Sequence, residues 1–186
     1  MRRFSLLTAS ALGLAAPCLA IACVTTAPSD VEAITFASVS AGGRTCGLTP
    51  VGAAYCWGAG GTTTDQLTPA AVTVPAGVTF TRLGVGGDTC GLTPAGAVYC
   101  WGLTPVAVAM PAGLTFASVS AGGSHDCAVT LVGVVYCWGE NEYGQIGDGT
   151  TTERLTPTQI GMPAAVNFTS VSAGLFHTCA VSQVGS

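Results

Sequence analysis

The fold is decided by the run FASVSAGGSHDCAVT at residues 116–130 and the run GVVYCWG at residues 133–139. In the first run, small or apolar residues alternate with serine up to Ala121, as they do in a half-buried β-strand. The two glycines that follow permit a tight turn. The cysteines at 127 and 137 stand symmetrically about residue 132. The stretch therefore predicts short antiparallel strands joined by tight turns.

The same pattern occurs four times along the chain. The phenylalanine that opens it stands at residues 36, 80, 116 and 168, at spacings of 44, 36 and 52 residues. Most of the difference lies between each Trp-Gly pair and the next Thr-Pro pair, where 9, 1 and 16 residues intervene. Length variation confined to one position marks a loop on one face of a stacked or radial array.

Each complete repeat has room for four short strands. In the first repeat we place them at 37–41, 46–49, 53–57 and 68–72, and the fourth strands of the next repeats at 104–108 and 156–160. Gly52, Gly96 and Gly133 end three-residue hairpin loops, where a left-handed residue is required. Four such strands, with glycines at the turns and aromatic residues at fixed positions, are typical of a β-propeller blade. We therefore predict an all-β open arc of three complete blades (36–79, 80–115 and 116–167) and half of a fourth (168–186).

The fourth repeat reaches its turn glycine, Gly185, and the sequence stops at Ser186. The second half of that hairpin would carry the partner of Cys179, which we therefore expect to be unpaired. A terminus in mid-hairpin exposes a strand edge. We accordingly expect the sequence to be truncated and the parent protein to hold more blades.

Three cysteine pairs share a C-x9-C spacing centred on a hairpin turn, namely Cys46/Cys56, Cys90/Cys100 and Cys127/Cys137. Residues opposite each other on paired strands have Cβ atoms ~4.5–5.5 Å apart, close to the ~3.5–4.5 Å of a disulfide. We predict three disulfides within blades, with free thiols as the alternative. Zinc sites usually contain closely spaced Cys-x2–4-Cys pairs, which the sequence lacks. No metal or cofactor is expected.

The N-terminus predicts export. Arg2 and Arg3 precede an apolar segment at 6–16, and Ala20-Ile21-Ala22 offers a cleavage site, so residues 1–22 are typical of a signal peptide and 23–35 of a linker. Cys23 would be the first mature residue, which resembles the lipobox of bacterial lipoproteins, although Ala20 stands where leucine is usual. A lipoprotein anchored to the membrane through Cys23 and a freely secreted or periplasmic protein both stay open.

Charge argues against a nucleic-acid partner. Beyond residue 22 there is no lysine, and three arginines face nine acidic residues, for a formal charge of −6. Phosphate backbones are bound by clustered Lys or Arg side chains that displace counterions.

The run at 118–130, followed by 133–139 and by NEYGQIGDG at 141–149, resembles the regulator of chromosome condensation repeat family, in an exported bacterial branch with cysteine in its Tyr-Cys-Trp-Gly strand. The resemblance covers 36–186, and repeats one and two lack the Asn-x-x-Gly-Gln-x-Gly loop. It implies a seven-bladed parent and a protein-interaction scaffold. The family's namesake is a guanine nucleotide exchange factor for a small GTPase on chromatin. An exported acidic chain fits that role badly, so no GTPase partner is expected.

Two functional classes stay open. The first is a binding scaffold at the cell surface or in the periplasm that recognises a protein or a glycan. The second is a secreted enzyme inhibitor or regulator, by similarity to a bacterial β-lactamase inhibitor built from this repeat. Fold alone does not separate them.

Catalysis is not expected. The sequence has no Gly-x-Ser-x-Gly elbow, and His125 and His177 occupy matching positions of the repeat without an evident Asp partner. We expect these histidines to be structural. Trp57, Trp101 and Trp138 recur at a fixed place, which favours packing between blades over a ligand-stacking ring.

The 140–155 loop is the best candidate for partner contact. Loops on rigid scaffolds carry binding, and Tyr and Arg are favoured at interface hot spots. Its acidic residues do not match the spacing of a calcium loop. We assign partner contact to Glu140, Glu142, Tyr143 and Arg154.

Overall fold

The computed structural model describes residues 34–59, 65–162 and 166–183. The predicted signal peptide, Cys23 and nearly all of the predicted linker lie outside the described residues. The structure therefore bears on the repeats, which belong to one compact unit, Ile34–Ser186. Within the described ranges, no helix is long and apolar enough to cross a membrane.

Three four-stranded antiparallel sheets and one two-stranded sheet follow each other along the chain. Blade 1 contains β1 (Ser38–Ala41), β2 (Thr45–Leu48), β3 (Ala54–Gly58) and β4 (Gln66–Ala71). Blade 2 contains β5 (Arg82–Val85), β6 (Thr89–Leu92), β7 (Val98–Trp101) and β8 (Val106–Ala107). Blade 3 contains β9 (Phe116–Ala121), β10 (His125–Thr130), β11 (Val135–Gly139) and β12 (Arg154–Gln159). Blade 4 contains β13 (Phe168–Ala173) and β14 (Thr178–Ser182).

The predicted fold class is confirmed. Strand order within each sheet follows chain order, the first strands of consecutive blades lie side by side, and the arrangement is an open arc. The described part of the chain contains no helix. The hairpin glycines Gly52, Gly96 and Gly133 have φ near +80°, and the carbonyl of each accepts a hydrogen bond from the phenylalanine that opens the next blade.

The outer strand of blade 2 is much shorter than predicted. We expected 104–108, whereas β8 comprises two residues. With a single residue between Gly102 and Thr104, the chain has too little length to reverse and pair early. Pairing with β7 therefore begins at Val106, opposite Cys100.

The Gly-Gly turns join the blades. The N–H of Gly43 donates to the carbonyl of Gly86 at 2.8 Å, and that of Gly87 donates to Gly122 at 2.7 Å. A Cβ atom on Gly86 would clash with the carbonyls of Ala121 and Gly122. The glycines are therefore needed for the close approach of two backbones, beyond the tight turn that the sequence predicted.

Aromatic rings fill the space between blades. Leu48 and Ala54 of blade 1 pack in one buried cluster with Phe80 and Trp101 of blade 2. The next boundary repeats this arrangement with Leu92, Val98, Phe116 and Trp138. The recurring tryptophans of blades 2 and 3 thus pack between blades, as the repeat predicted.

The three cysteine pairs lie at disulfide distance. In each pair the residues stand directly opposite on neighbouring strands, with Cα atoms 4.1 Å apart. In the chain-entropy account, such short crosslinks contribute roughly 2–3 kcal/mol each. Cysteines so paired suit an oxidising compartment. Cys179 is free and exposed.

Candidate partner-binding loop and polar links between blades

Asn141 organises the 140–155 loop from within. Its side chain is almost fully buried. The amide nitrogen donates to the carbonyls of Thr150 and Thr152, both at 3.0 Å, and the amide oxygen accepts the N–H of Ile146 at 2.9 Å. One side chain thereby satisfies three backbone groups from two separate limbs of the loop. The loop has a single defined path although none of its residues from 140 to 153 belongs to a strand.

The middle of the loop, at Gln145 and Ile146, packs on the core. The side chain of Ile146 has no exposed surface and packs against the Cys127–Cys137 pair. Gln145 is also buried, and its side-chain oxygen accepts the N–H of Tyr143 at 2.9 Å. The segment therefore leaves the core, turns outward at Tyr143 and returns.

The far limb of the loop, residues 148–154, is held by an ion pair between Asp148 and Arg154. Nε of Arg154 and Oδ2 of Asp148 are 2.6 Å apart. Hydrogen bonds from Thr150, and then from Arg154, hold the pKa of Asp148 well below its usual range, at about 2. Neither residue is available to a calcium ion without breaking these contacts. Arg154, which we predicted to meet a partner, uses its guanidinium inside the loop, although 32% of its side chain stays exposed.

The exposed residues of the loop include Glu140, Glu142 and Tyr143. Both glutamates are exposed, and the Tyr143 ring is 68% exposed. Tyr143 lies against Phe176 of blade 4, with ring centroids 4.9 Å apart. Three of the four predicted contact residues are thus exposed. Their role in binding stays a prediction.

Polar side chains also cross the blade boundaries. Arg44 of blade 1 donates to the Thr89 hydroxyl at 3.0 Å and to the carbonyl of Trp101 at 2.8 Å. Its position in the repeat is taken by Asp88 in blade 2 and by His125 in blade 3. The sequence did not predict the contacts made from this position, because Arg44 and His125 contact residues of the next blade.

His125 links blade 3 to blade 4. Its Nε2 lies 2.9 Å from the hydroxyl of Thr178, and that hydroxyl donates to the carbonyl of Gln145 at 2.7 Å. Since the hydroxyl has one hydrogen, Nε2 of His125 must be the donor, which leaves Nδ1 as a buried acceptor that finds no partner among the described residues. Burial, and then the charge of His177, lower the pKa of His125. Both histidines were expected to be structural: His125 holds a side chain of the next blade, whereas His177 is exposed.

The boundary between blades 2 and 3 holds two acids. A cavity of about 260 Å³ is lined by Asp88, Asp126, Trp138 and Arg154, among others. Burial first, and then the Asp88 carboxylate, raise the pKa of Asp126 to about 7, although the Trp138 side chain donates a hydrogen bond to it. Potential metal-ligand atoms of Cys90, Cys100 and Asp126 lie within 4.8 Å of one another. The two sulfurs are joined in a disulfide, however, and provide no thiolate for a metal.

The sequence and the fold have recognisable relatives. Residues 133–181 match the profile of the Regulator of chromosome condensation (RCC1) repeat, and residues 116–145 match a second profile of that repeat. No curated protein shows significant similarity to the chain.

Three solved structures share the fold. Human WBSCR16 is 21% identical over 83% of this chain, with a TM-score of 0.72. Prp20p from Saccharomyces cerevisiae is 19% identical over 78%, with a TM-score of 0.68, and yeast RCC1 (Prp20) bound to Kap60 is 22% identical over 80%, with a TM-score of 0.66. The chain covers 46%, 43% and 40% of these structures, which is less than half of each. Residues 116–181 therefore match repeats of the regulator of chromosome condensation type, and the described chain shares its fold with RCC1-type propellers.

Proposed function

We propose that this chain is an exported, non-enzymatic scaffold that binds a protein partner through the 140–155 loop. The observation that carries the proposal is the contrast within that loop. Asn141 and Ile146 are buried and fix the backbone, while Tyr143 stands 68% exposed at the turn. A rigid loop that presents an aromatic side chain loses little conformational entropy when it binds.

The chemistry of the loop favours a partner with a basic surface. Glu140 and Glu142 are exposed just before Tyr143, and the Asp148 carboxylate is already neutralised by Arg154. An aromatic anchor beside exposed carboxylates suits a positively charged patch with an apolar centre. Prp20p has been characterised for its binding to Gsp1p and histones, and yeast RCC1 has been solved with Kap60 bound. Propellers of this type are thus used as protein-binding surfaces.

The cysteine pairs and the N-terminal sequence support the export that the proposal includes. Three cysteine pairs at disulfide distance suit a compartment outside the cytoplasm. The N-terminal signal, with or without lipid on Cys23, would deliver the blades to the periplasm or to the cell surface.

The test is a comparative capture experiment with immobilised protein and cell-envelope extract. We expect Tyr143→Ala and Glu142→Lys each to abolish capture of a partner that the unchanged chain retains. The matched control is Glu153→Lys, an exposed acid on the far limb of the same loop. Equal loss with the control, or no loss with either variant, contradicts the assignment. Inhibition of a purified β-lactamase that is sensitive to Tyr143→Ala would identify the inhibitor function instead.

A further inference from the structure

The three disulfides join equivalent strands of their blades, but the connection that follows each third strand covers them unequally. In blade 3, Ile146 of the 140–155 loop packs against the Cys127–Cys137 pair. Neither of these cysteines has any exposed surface. The long loop of blade 3 therefore helps to shield its disulfide from solutes.

The disulfide of blade 2, Cys90–Cys100, has a much shorter connection beside it. The segment that corresponds to the loop is one residue, Leu103, and its side chain is itself exposed. Cys90 has no exposed surface, whereas Cys100 is only partly buried. Cys100 also lines the cavity of about 260 Å³ between blades 2 and 3, which is open to solvent. A solute that enters this cavity can therefore approach Cys100.

Each disulfide also has one polar side chain of the following blade beside it, and that residue directly precedes the first cysteine of its own blade. The hydroxyl of Thr89 lies 3.8 Å from Sγ of Cys46, and the hydroxyl of Thr178 lies 3.6 Å from Sγ of Cys127.

At the middle boundary the same position is occupied by Asp126. A carboxyl oxygen of Asp126 and the sulfurs of Cys90 and Cys100 all lie within 4.8 Å of one another. Among the described residues, no other disulfide has a carboxyl group so close to both of its sulfurs. The pair that is open to approach is therefore also the pair that has an acid beside it.

The surroundings of Asp126 favour its protonated form. Asp88 of blade 2 and Arg154 of β12 line the same cavity. Burial, and then the Asp88 carboxylate, raise the pKa of Asp126 to about 7, against the effect of the hydrogen bond from Trp138. Arg154 forms its ion pair with Asp148. Below about pH 7, Asp126 therefore holds a proton close to the two sulfurs.

We propose that Cys90–Cys100 is a site of thiol–disulfide exchange with an external thiol, in which Asp126 supplies a proton to the leaving sulfur. The incoming thiolate attacks Sγ of Cys100. The bond between Cys90 and Cys100 breaks, a mixed disulfide forms at Cys100, and the proton of the Asp126 carboxyl group passes to the sulfur of Cys90. A proton from solvent then restores the acid through the open cavity. A second thiolate attacks the external sulfur of the mixed disulfide and releases the Cys100 thiolate, so that two external thiols are oxidised to their disulfide.

Two physical effects favour exchange at this pair while Asp126 is protonated. A proton delivered as the sulfur–sulfur bond breaks stabilises the leaving sulfur. The neutral acid also does not repel an approaching thiolate, whereas the ionised carboxylate repels it and has no proton to give. The rate at Cys90–Cys100, relative to the rate at the other pairs, should therefore fall as the pH rises through 7.

The test measures reduction of the three disulfides within one sample of the full chain. Free thiols are blocked with N-ethylmaleimide, reduced glutathione is added, and new thiols are labelled with iodoacetamide and assigned by peptide mapping. We expect Cys90–Cys100 to be reduced about tenfold faster, or more, than Cys127–Cys137, with the glutathione adduct on Cys100. Because all the disulfides meet the same concentration of glutathione thiolate, the ratio of these two rates removes the pH dependence of the reductant. The ratio should fall severalfold between pH 6 and pH 8.

Two variants separate the acid from access to the cavity. Asp126→Asn retains the shape of the side chain but has no acidic proton, so the ratio should be lower at pH 6 and should not change with pH. Asp88→Asn is the matched control, because it leaves the Asp126 acid in place. Its ratio should still fall with pH, with a midpoint at lower pH.

Two results would overturn the proposal. Equal rates of reduction for the three disulfides would show that each is reached only when the blades unfold. The same pH dependence of the ratio in Asp126→Asn as in the unchanged chain would show that Asp126 does not supply the proton. Neither measurement involves a partner of the 140–155 loop, so the outcome is independent of the proposed function.

Discussion

The Nε2 atom of His125 donates to the hydroxyl of Thr178, 2.9 Å away in the next blade. The hydroxyl donates its own hydrogen to the carbonyl of Gln145, so the 140–155 loop, blade 3 and blade 4 meet at this chain of hydrogen bonds. Burial disfavours a charged imidazolium at this place, and the nearby His177 disfavours it further. The neutral form is therefore the one that the fold stabilises.

We predict that unfolding becomes easier in acid because of His125. Its pKa is lowered in the folded chain, so the unfolded chain binds more protons below the ordinary pKa of about 6.5. The free energy of unfolding should accordingly fall between pH 7 and pH 5, at up to ~1.4 kcal/mol per pH unit. Urea unfolding measures it. His125→Gln, which retains a donor near Nε2 and cannot titrate, should reduce the slope, whereas the exposed His177→Gln should change it less.

For Asp126 we predict the opposite pH dependence: its contribution to the free energy of unfolding falls as the pH rises. Its pKa of about 7 exceeds that of the unfolded chain, so the folded chain binds more protons between pH 4 and pH 7. Its contribution is complete below about pH 4 and is lost as the pH rises through 7. Asp126→Asn should therefore stabilise the protein at pH 8, by on the order of 1 kcal/mol or more, and leave it little changed at pH 4.

The neighbour of Asp126 provides a second readout. Asp88→Asn removes a charge that raises the pKa of Asp126, so carbonyl NMR should show Asp126 titrating at lower pH in this variant. The exposed Asp65→Asn is the control. An unchanged titration in Asp88→Asn would contradict the acid pair.

Because the glycine turns of neighbouring blades stack closely, we predict that a Gly→Ala substitution in such a turn lowers the free energy of unfolding. Gly86→Ala places a Cβ against the backbone of Ala121 and Gly122, and should lower the free energy of unfolding by roughly 1–3 kcal/mol. Gly102→Ala meets only the side-chain oxygen of Asp88, at 3.2 Å, and should change stability by less than about 0.5 kcal/mol. Thermal unfolding of the two variants compares them directly, and similar losses would argue against close backbone approach.

Asn141 should be the most sensitive polar residue of the loop. Asn141→Ala removes two donors and one acceptor, one of them from a buried hydrogen bond and two from partly buried ones, and should cost about 2–4 kcal/mol. Asn141→Asp retains the acceptor for Ile146 and should be intermediate. Amide exchange at Ile146 reports the loss locally. Thr151→Ala, at an exposed position of the same loop, is the control. If the Ile146 amide exchanges as fast in Thr151→Ala as in Asn141→Ala, the loop is not organised by Asn141.

The repeat made the blades predictable, because each strand pairs with its neighbour in the chain. The opposition of Cys46 and Cys56 follows from their equal distance to one turn, and the structure has that register. Contacts between blades could not be predicted from the repeat, because the residues that meet are far apart in the sequence. Arg44 meets Thr89 across 45 residues, and Asp88 meets Asp126 only because two sheets pack face to face.

The sequence indicated which residue types the candidate loop contains, but it did not indicate which contacts their side chains make. Tyr143 and the two glutamates are exposed, as a contact surface requires, but Arg154 turns back to Asp148. An ion pair six residues apart in an irregular loop has no periodic signature. The organising role of Asn141 likewise depends on the three-dimensional path that it creates.

The hydrogen bonds between the Gly-Gly turns all run in one direction, from the N–H of Gly43, Gly87 and Gly123 to the carbonyl of the following blade. Each blade thus presents a donor on one side and an acceptor on the other, so the interface is heterologous. Duplication of a whole repeat would recreate the same donor–acceptor match at both new boundaries. The arc can lengthen or shorten by entire blades during evolution, while a repeat inserted in the reverse orientation would find no complementary turn.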